Sequence, residues 1–428
     1  MTMENKELPG AVCVQMEKVQ ESLADMPKLA HMFLQCYPNT LLTTTQRLDD
    51  GTSYVFTGDI PAMWLRDSTA QVRHYIPLAS DDSDLQNIIE GLIRRQFKYI
   101  AIDPYANAFN REPNGDCWEV DETEQNPWVW ERKYEIDSLC YPLQLSYLYW
   151  KQTKKSAIFD ENWKKSTELI LQLWQQEQSH AEQSQYSFQR FNGPSTDTLT
   201  HGGLGTPVKF TGMTWSGFRP SDDACKYGFL VPSNAFATVV LGYVADIARF
   251  VFEDETMAKN AEVLQKEIDT GIRDFGIYKH PKYGEIFAYE SDGMGKYNLM
   301  DDANVPSLLS LPYLGYINSD DIVYQNTRNF ILSEENPYFF KGKLAEGIGS
   351  PHTPAGYVWP ISLCIQGLTS VDLNEMDMLV EMLESTDAGT GFMHEGFNSD
   401  APEEFTRPWF AWANSLFAEF VLHWLAHK

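Results

Sequence analysis

Residues 57–68 (TGDIPAMWLRDS) bring an aromatic ring, a guanidinium group and carboxylates into one short segment. Pro61 disfavours a regular helix or a central strand there, and Asp67 or Ser68 can cap a helix that follows. The sequence therefore predicts that Arg66 and Asp67 lie at the tip of a loop that this helix holds in place. Charged groups can form hydrogen bonds with hydroxyls, and an aromatic ring can pack against C–H surface. This combination suits a neutral, polyhydroxylated ligand. A buried structural ion pair is the alternative, and this segment alone does not decide between them.

The same mixture of carboxylates, arginines and tryptophans recurs in five later segments of the chain. The candidate side chains there are Trp128, Trp130, Glu131, Arg132, Glu135, Asp137, Trp215, Arg219, Asp222, Asp223, Asp292, Asp301, Asp302, His352, Tyr357, Trp359, His394, Glu395 and Arg407. No serine or cysteine lies in a recognisable nucleophile context such as a G-x-S-x-G turn. Paired carboxyl groups suit glycoside hydrolysis, in which an acid protonates the leaving oxygen and a carboxylate acts across the anomeric carbon. An acid in a crowded apolar site is expected to have a raised pKa.

Each of these candidates also has a structural interpretation. Asp222 could cap a short turn, and Glu395 follows a glycine-containing loop that lets a carboxylate protrude. His352 could bind either a sugar hydroxyl or a backbone carbonyl. The pair Asp301-Asp302 could hold a divalent cation, although two adjacent aspartates are a weak signal. Composition and spacing do not select two catalytic carboxylates from this set.

Two kinds of helical segment alternate along the chain and must position these residues. Six amphipathic segments are predicted at Val14–Cys36, Asp84–Ile100, Glu161–Gln178, Glu255–Phe275, Asp320–Leu332 and Asn374–Glu384. Six more apolar helices are predicted to begin near Asp67, Asp137, Ser233, Ser307, Pro360 and Pro408. A helix that is apolar nearly all round must be surrounded by other helices, whereas an amphipathic helix covers one face. The alternation predicts an all-α fold, an (α/α)6 barrel with six inner and six outer helices, as a single domain over residues 1–428.

Long loops lead into the predicted inner helices, at residues 38–66, 101–136, 179–232, 276–306, 333–359 and 385–407. In an alternating barrel these loops emerge on one face, so we expect the active site there. Strand signals are sparse and short, and no dinucleotide-binding or P-loop motif is visible. A parallel α/β sheet is therefore not expected.

Composition restricts the partners of the protein. The 428 residues carry 60 acidic and 33 basic side chains, a net charge of −27 without a basic stripe, which disfavours nucleic acid and anionic membranes. Six scattered cysteines form no C-x-x-C pair, and neither a metal centre nor another cofactor is expected. Residues 1–10 lack the apolar core of a secretory signal, and no segment is predicted to cross a membrane, the most apolar being 409–425. We therefore expect a cytoplasmic protein.

Six motifs in this order resemble glycoside hydrolase family 125 over nearly the whole chain. They are residues 57–68 (TGDIPAMWLRDS), 103–107 (DPYAN), 130–135 (WERKYE), 212–216 (GMTWS), 218–223 (FRPSDD) and 393–395 (MHE). The resemblance implies an (α/α)6 barrel and a metal-independent exo-α-1,6-mannosidase that inverts configuration.

The resemblance also implies catalytic roles. The first aspartate of the RPSDD motif, Asp222, corresponds to the general acid, and the glutamate of the MHE motif, Glu395, to the general base. An inverting reaction needs room for a water molecule, so the two carboxyls are expected ~6.5–9.5 Å apart. From loop position we expect further substrate contacts at Trp64, Arg66, Asp67, Glu131, Asp137, His352, Trp359 and Arg407.

Three other functions remain open at this point. A calcium-dependent inverting α-mannosidase on a related barrel would be sensitive to chelators. A sugar epimerase needs paired bases near one carbon, usually histidines, and only His352 and His394 are well placed for this role. A glycan-binding protein without activity would be expected to lack one of the two carboxylates. The aglycone preference, the oligomeric state and the source of the glycan are not readable from the sequence.

Overall fold

The structure, a computed structural model, describes residues 7–428 and is mostly helical. The α-helices within this range are α1 (Gly10–Ser22), α2 (Pro27–Cys36), α3 (Leu65–Arg73), α4 (Ser83–Ile102), α5 (Ile136–Thr153), α6 (Glu161–Glu177), α7 (His180–Gln183), α8 (Thr200–Gly203), α9 (Val231–Phe250), α10 (Glu255–Phe275), α11 (Leu311–Leu314), α12 (Ile322–Ile331), α13 (Pro360–Leu368), α14 (Leu373–Ser385) and α15 (Ala411–His427). Short strands lie between them.

The strands pair into small antiparallel sheets of two or three strands. Within residues 7–428 they are β1 (Thr45–Arg47), β2 (Ser53–Val55), β3 (Met63–Trp64), β4 (Ala108–Phe109), β5 (Val129–Glu131), β6 (Phe229–Leu230), β7 (Ile277–His280), β8 (Gly284–Phe287), β9 (Glu290–Ser291), β10 (Tyr297–Asn298), β11 (Phe339–Lys341), β12 (Glu346–Ile348), β13 (Tyr357–Val358), β14 (Gly396–Asn398) and β15 (Ala401–Thr406). They lie in the predicted long loops, so these loops are ordered by backbone pairing.

The helices form the predicted (α/α)6 barrel. The inner helices are α3, α5, α9, α11, α13 and α15, and contacts run from α13 through α15, α3, α5 and α9 to α11. Outer helices cover them: α10 packs on α9, α4 on α5, α2 on α15 and α14 on α13. The sequence of α9 explains its place, because Pro232 starts it and apolar residues occupy nearly every side.

Helix α9 is also long and apolar enough to cross a membrane by length and composition, the one such helix found among residues 7–428. Since 78% of its apolar window is buried, these properties are explained by its place in the inner ring. Our expectation about a secretory signal concerned residues 1–10, and residues 1–6 lie outside the described part of the chain.

Three helix boundaries differ from the predictions. The first outer segment is two helices, α1 and α2, because Pro27 takes the first position of α2, which proline favours, and disfavours a helical conformation of the residue before it. The fourth inner helix, α11, has only four residues, since Gly315 ends it in the left-handed conformation. Helix α3 begins at Leu65 rather than after a cap at Asp67, so Arg66 and Asp67 lie in its first turn.

Close packing of the inner ring makes a testable prediction at Gly367 of α13. A methyl group there would overlap the buried ring of Phe420 on α15. We expect Gly367→Ala to lower the free energy of unfolding by about 1–3 kcal/mol, measured by denaturant titration. Gly242→Ala in α9 is the matched control, because its methyl group would meet only the amide end of the Gln265 side chain. The better helix propensity of alanine should keep that change within about 1 kcal/mol; equal losses in the two variants would contradict the packing argument.

Candidate active site

A cavity with about 350 Å³ of empty space, part of it open to solvent, lies where the long loops meet. The lining residues are Thr57, Ile60, Trp64, Arg66, Asp67, Pro220, Ser221, Asp222, Asn304, His352, Trp359, Glu395, Arg407 and Phe410. They include both predicted catalytic residues, Asp222 and Glu395, and all of the predicted substrate contacts except Glu131 and Asp137.

Two small sheets deliver these residues to the cavity. In the sheet β3-β4-β5, Trp64 ends β3 and pairs with Ala108. In the sheet β13-β14-β15, three lining residues lie at the same end of the sheet. Trp359 follows β13, Glu395 precedes β14 and Arg407 follows β15, and antiparallel pairing aligns these three strand ends.

The guanidinium group of Arg66 lies at the centre of the site and contacts four carboxyl groups. Nη1 donates to Asp67 at 2.8 Å, and Nε donates to Asp137 at 3.2 Å. Nη2 donates to both Glu135 and Asp222, each at 3.3 Å. Arg66, Asp67, Glu135 and Asp137 are buried, whereas the side chain of Asp222 is 26% exposed and faces the cavity. The ion pair predicted as the alternative for this segment is therefore present and forms part of the cavity wall, whereas binding of a polyhydroxylated ligand there stays a prediction.

Two further donors fix the carboxyl group of Asp222. Asn107 Nδ2 lies 3.2 Å from its Oδ1, and the indole Nε1 of Trp64 lies 3.3 Å from the same oxygen. The Asn107 amide also reaches Glu131 at 3.1 Å and Glu135 at 3.4 Å. One oxygen of Asp222 is thus held by three neutral or cationic donors, which restricts its rotation.

The backbone of Asp222 adopts a left-handed conformation, with φ at +67°. This region is uncommon for residues other than glycine, and such outliers cluster at functional sites. Lys133 Nζ donates to the Asp222 carbonyl at 2.7 Å, and Arg219 N donates to the Asp223 carbonyl at 2.8 Å. Arg219 is itself anchored by an ion pair with Glu290 at 2.7 Å. These contacts hold the tight turn that directs Asp222 into the cavity.

The charges around Asp222 and Glu135 separate their pKa values. Burial raises the pKa of Asp222, but Arg66 and Lys133 outweigh it and lower that pKa to about 2. Burial raises the pKa of Glu135 well above its usual value, and Arg66 only partly opposes this. Burial likewise raises the pKa of Asp137 to about 6. The raised pKa expected for the acid in this site therefore belongs to Glu135 rather than to Asp222. The pKa of Asp222 is lowered by Lys133 as well as by Arg66, whereas Arg66 alone opposes the raised pKa of Glu135.

Glu395 lies across the loops from this cluster, at the start of β14. Its side chain is 10% exposed, and Oε1 lies 3.7 Å from Nη1 of Arg407. Arg407 has φ at +50°, and its guanidinium group donates to Asp59 at 2.9 Å and to Thr57 at 3.0 Å. The first and last long loops are therefore joined by Arg407, which leaves the Glu395 carboxylate facing the cavity beside a positive charge.

His352 lines the cavity and pairs with Asp223, the neighbour of Asp222. Its Nδ1 lies 3.2 Å from Asp223 Oδ1, and Asp223 is buried and does not line the cavity. Burial favours the neutral ring, but the hydrogen bond and charge of Asp223, with Glu395 and Asp222 farther away, raise the pKa of His352 to about 9. The cavity therefore contains a protonated imidazole at neutral pH.

Glu131 and Asp137 are not positioned as the sequence analysis predicted. Glu131 is buried behind the lining and accepts a hydrogen bond from Arg190 at 2.8 Å. Asp137 is fully buried in the first turn of α5, between Arg66 and Ser233, whose hydroxyl donates to it at 3.1 Å. Their loop positions were right, but their side chains turn away from the cavity and support residues that line it.

Asp301 and Asp302 do not form a cation site. The carboxylate of Asp301 accepts the backbone N–H groups of Leu308 and Leu309, at 2.8 and 3.0 Å, and Asp302 accepts the Ser221 hydroxyl at 2.8 Å. Adjacent residues here serve separate local structures. Among residues 7–428, no three histidine, cysteine, aspartate or glutamate side chains are grouped to hold a metal ion.

Several site residues were not selected from the sequence. Asn107 belongs to a motif already quoted, 103–107, but its hydrogen bonds with Asp222 and with the candidate Glu135 depend on the tertiary structure. The lining residues that sequence reasoning missed are Thr57, Ile60, Pro220, Ser221, Asn304 and Phe410. Ser221 and Pro220 precede Asp222 directly, so the motif itself carried a signal for them.

A family model described as metal-independent alpha-mannosidase matches residues 26–422. The chain belongs to glycoside hydrolase family 125. It is therefore a glycoside hydrolase and a metal-independent α-mannosidase, as the resemblance predicted. The calcium-dependent, epimerase and inactive binding-protein alternatives are set aside by this membership.

Relatives of this family 125 enzyme cover nearly its whole length. A solved structure of a Streptococcus pneumoniae metal-independent α-mannosidase, in a non-productive complex with α-1,6-mannobiose, is 49% identical with a TM-score of 0.95, covering 98% of this chain and 99% of that one. The Schizosaccharomyces pombe meiotically up-regulated gene 157 protein is 42% identical and covers 96% of this chain, which spans 85% of that protein. A bacterial glucoamylase with acarbose is 14% identical with a TM-score of 0.55, covering 86% of this chain and 49% of that one, a likeness of fold alone.

The His352–Asp223 pair predicts a pH dependence of stability. Because the folded pKa of His352 is raised from 6.5 to about 9, the pair stabilises the family 125 enzyme fully below pH 6.5, and this stabilisation is lost as pH rises through 9. We expect the difference in unfolding free energy between wild type and His352→Gln to shrink by about 1 kcal/mol over that range, a figure that allows for solvent screening of a ring 35% exposed. Denaturant titrations at pH 6, 7.5 and 9.5 measure it; a difference that is constant or grows would contradict the pairing.

Proposed function

We propose that the protein is an inverting exo-α-1,6-mannosidase that releases terminal, non-reducing mannose from N-glycan-type oligosaccharides. The observation that carries the proposal is the 49% identity, over nearly the full chain, to an α-mannosidase solved with α-1,6-mannobiose. The metal-independent α-mannosidases that include this relative bear on the processing of N-linked glycans. The small cavity, lined from five of the six long loops, suits an enzyme that binds the end of a chain rather than its middle.

In the proposed reaction, Asp222 is the general acid and Glu395 is the general base. Asp222 protonates the glycosidic oxygen while Glu395 removes a proton from water, whose oxygen attacks the anomeric carbon from the opposite face. Two features support this assignment: both carboxyl groups line one cavity, and they come from different loops. Asp223 is a poorer candidate for the acid, because it is buried and paired with His352.

The remaining lining residues suit recognition of one sugar ring. Asp67, His352 and Arg407 present charged hydrogen-bonding groups for hydroxyls, and the rings of Trp64 and Trp359 present apolar surface for C–H groups. The Trp359 indole is held in place by its bond to Thr353 at 2.9 Å. Arg66 contributes by positioning Asp67 and Asp222 as well as by facing the cavity.

We also keep a cytoplasmic location as a proposal. It rests on the acidic composition and on the six cysteines, which are all free in the structure, as is usual in a reducing compartment. Expression of a tagged full-length chain and fractionation of cells would test it, and recovery of the protein outside the cytoplasm would overturn it.

The stereochemical outcome is the first prediction of the mechanism. Hydrolysis of α-1,6-mannobiose in the presence of EDTA should release β-mannose first, because water attacks opposite the departing oxygen. Proton NMR of the anomeric signal during the first turnovers measures this. Early α-mannose would indicate retention and would remove Glu395 as a base acting on water.

The assignment of roles predicts a contrast between adjacent aspartates. Asp222→Asn should lower kcat on α-1,6-mannobiose by about 10²–10⁴-fold, because the proton donor is lost. Glu395→Gln should cause a comparable loss through the base. Asp223→Asn is the matched control, with a loss of about tenfold or less, because it alters the position and the pKa of His352 but leaves both proposed catalytic carboxyls in place. A larger loss for Asp223→Asn than for Asp222→Asn would exchange their roles.

A further inference from the structure

Glu135 is a fully buried carboxyl group at the site that the proposed mechanism leaves without a role. It lies immediately before α5, and its Oε2 accepts a hydrogen bond from the Ser138 hydroxyl at 2.8 Å. No lining position is assigned to it, so contact with a sugar hydroxyl does not explain it. Its contacts lie on the side of Asp222.

Two donors bridge Glu135 and Asp222. Arg66 Nη2 lies 3.3 Å from each carboxyl group, and Asn107 Nδ2 lies 3.4 Å from Glu135 and 3.2 Å from Asp222. Shared donors hold the two carboxyls side by side, within hydrogen-bonding reach of each other. Two carboxyls in such an arrangement bind one proton between them, since two adjacent anions repel.

The charge balance around the pair favours retention of that proton. Arg66 faces the carboxyl groups of Asp67, Glu135, Asp137 and Asp222, which exceed its single positive charge. Burial raises the pKa of Glu135 well above its usual value, whereas Arg66 and Lys133 keep the pKa of Asp222 near 2. The proton therefore resides on Glu135 in the resting enzyme. Asp222 is the anion that accepts a hydrogen bond from it.

We propose that Glu135 is a positioning residue that holds the proton which Asp222 delivers to the glycosidic oxygen. This inference rests on the proposed role of Asp222 as the general acid. Glu135 does not touch the substrate in this scheme. It acts through Asp222, which is a strong anion when alone and becomes an acid only when Glu135 passes a proton to it.

The proton balance closes over one turnover. Glu135 passes its proton to Asp222, Asp222 then transfers that proton to the leaving oxygen, and the C–O bond breaks with its electrons on that oxygen. The attacking water forms the new C–O bond and gives a proton to Glu395. After product release, the proton on Glu395 is lost to solvent and Glu135 takes one up, which restores the resting state.

Other charged groups surround the pair and are present in every variant proposed below. The groups that act electrostatically on Glu135 or Asp222, or on both, are Arg66, Asp67, Lys133, Asp137 and His352. His352 has a pKa raised to about 9 and keeps the same surroundings in wild type and in these variants, so its own titration does not account for a shift between them.

The first test compares Glu135→Gln with wild type on two substrates across pH. On α-1,6-mannobiose, kcat should fall about 100-fold at neutral pH, and the alkaline limb of the kcat/KM profile should move at least one pH unit lower. On 2,4-dinitrophenyl α-mannoside, whose leaving group departs without a proton, activity should stay within about threefold of wild type. Equal losses on both substrates, or an unmoved alkaline limb, would overturn the proposal in favour of a structural role.

A milder variant should shift the alkaline limb in the opposite direction. It also keeps the proposal testable if Glu135→Gln does not fold. Ser138→Ala removes the hydroxyl that donates to Glu135 and favours its ionised form. The alkaline limb should therefore move to higher pH, opposite to the shift in Glu135→Gln. A downward shift or no shift in Ser138→Ala would count against Glu135 as the holder of the proton.

Failure of this inference can be told apart from failure of the proposed function by Asp222→Asn. If Asp222→Asn loses mannobiose activity but keeps the dinitrophenyl reaction while Glu135→Gln resembles wild type, the acid is right and Glu135 has no part in proton supply. If Asp222→Asn hydrolyses mannobiose as wild type does, Asp222 is not the acid and both proposals fall.

Discussion

The buried guanidinium group of Arg66 is the interaction on which the rest of the site depends. Four carboxyl groups from α3, from the residues that open α5 and from the 219–223 turn converge on it. Without a cation at this point, their burial would be prohibitively costly, because removing one partner of a buried ion pair costs about 3–5 kcal/mol. The planar guanidinium satisfies several carboxylates at once, which the point charge of lysine cannot do. Arg66 thus couples the first inner helix to the second and fixes the angle at which Asp222 enters the cavity.

The barrel and the small sheets share the work of building the cavity. The inner ring supplies rigid helix starts, at α3 and α5, from which Arg66 and Asp137 project. The sheets supply the opposite wall, because antiparallel pairing of β13, β14 and β15 aligns Trp359, Glu395 and Arg407 at one edge. A site held between two such frames is pre-organised, and pre-organised dipoles and charges are the main source of transition-state stabilisation in enzymes. The left-handed backbone at Asp222 and Arg407 is consistent with this, since strain persists only where the surroundings hold it.

The net charge of the cavity wall determines what chemistry it can perform. Carboxyl groups outnumber Arg66 and Lys133 around Asp222, which favours retention of a proton on this side of the site, whereas Glu395 lies beside the cation of Arg407 on the other side. One side is therefore suited to give a proton and the other to accept one. Glycoside hydrolysis by inversion needs this asymmetry across a single sugar ring. A metal ion is not needed for it, in agreement with the family to which the chain belongs.

The amino-acid sequence by itself determined the barrel and the loops that carry the chemistry. Alternating amphipathic and apolar helices encode their own burial, because each pattern has one stable partner arrangement, and the predicted (α/α)6 fold is confirmed. Local signals failed where competing residues interrupted the pattern, as at Pro27 and Gly315. The motifs also placed Asp222 and Glu395 in the right loops and Arg66 beside the cavity, although their catalytic and binding roles stay predictions.

Only the tertiary structure decided which side chains face the cavity and which stand behind it. Glu131 and Asp137 share their short segment with Glu135, and nothing in the sequence reports that all three turn inward to Arg190, Ser233 and Asn107. The same is true of the low pKa of Asp222, because the charges that set it lie far away along the chain. Periodicity records burial within one element, whereas the orientation of a loop side chain depends on partners that other elements bring to it.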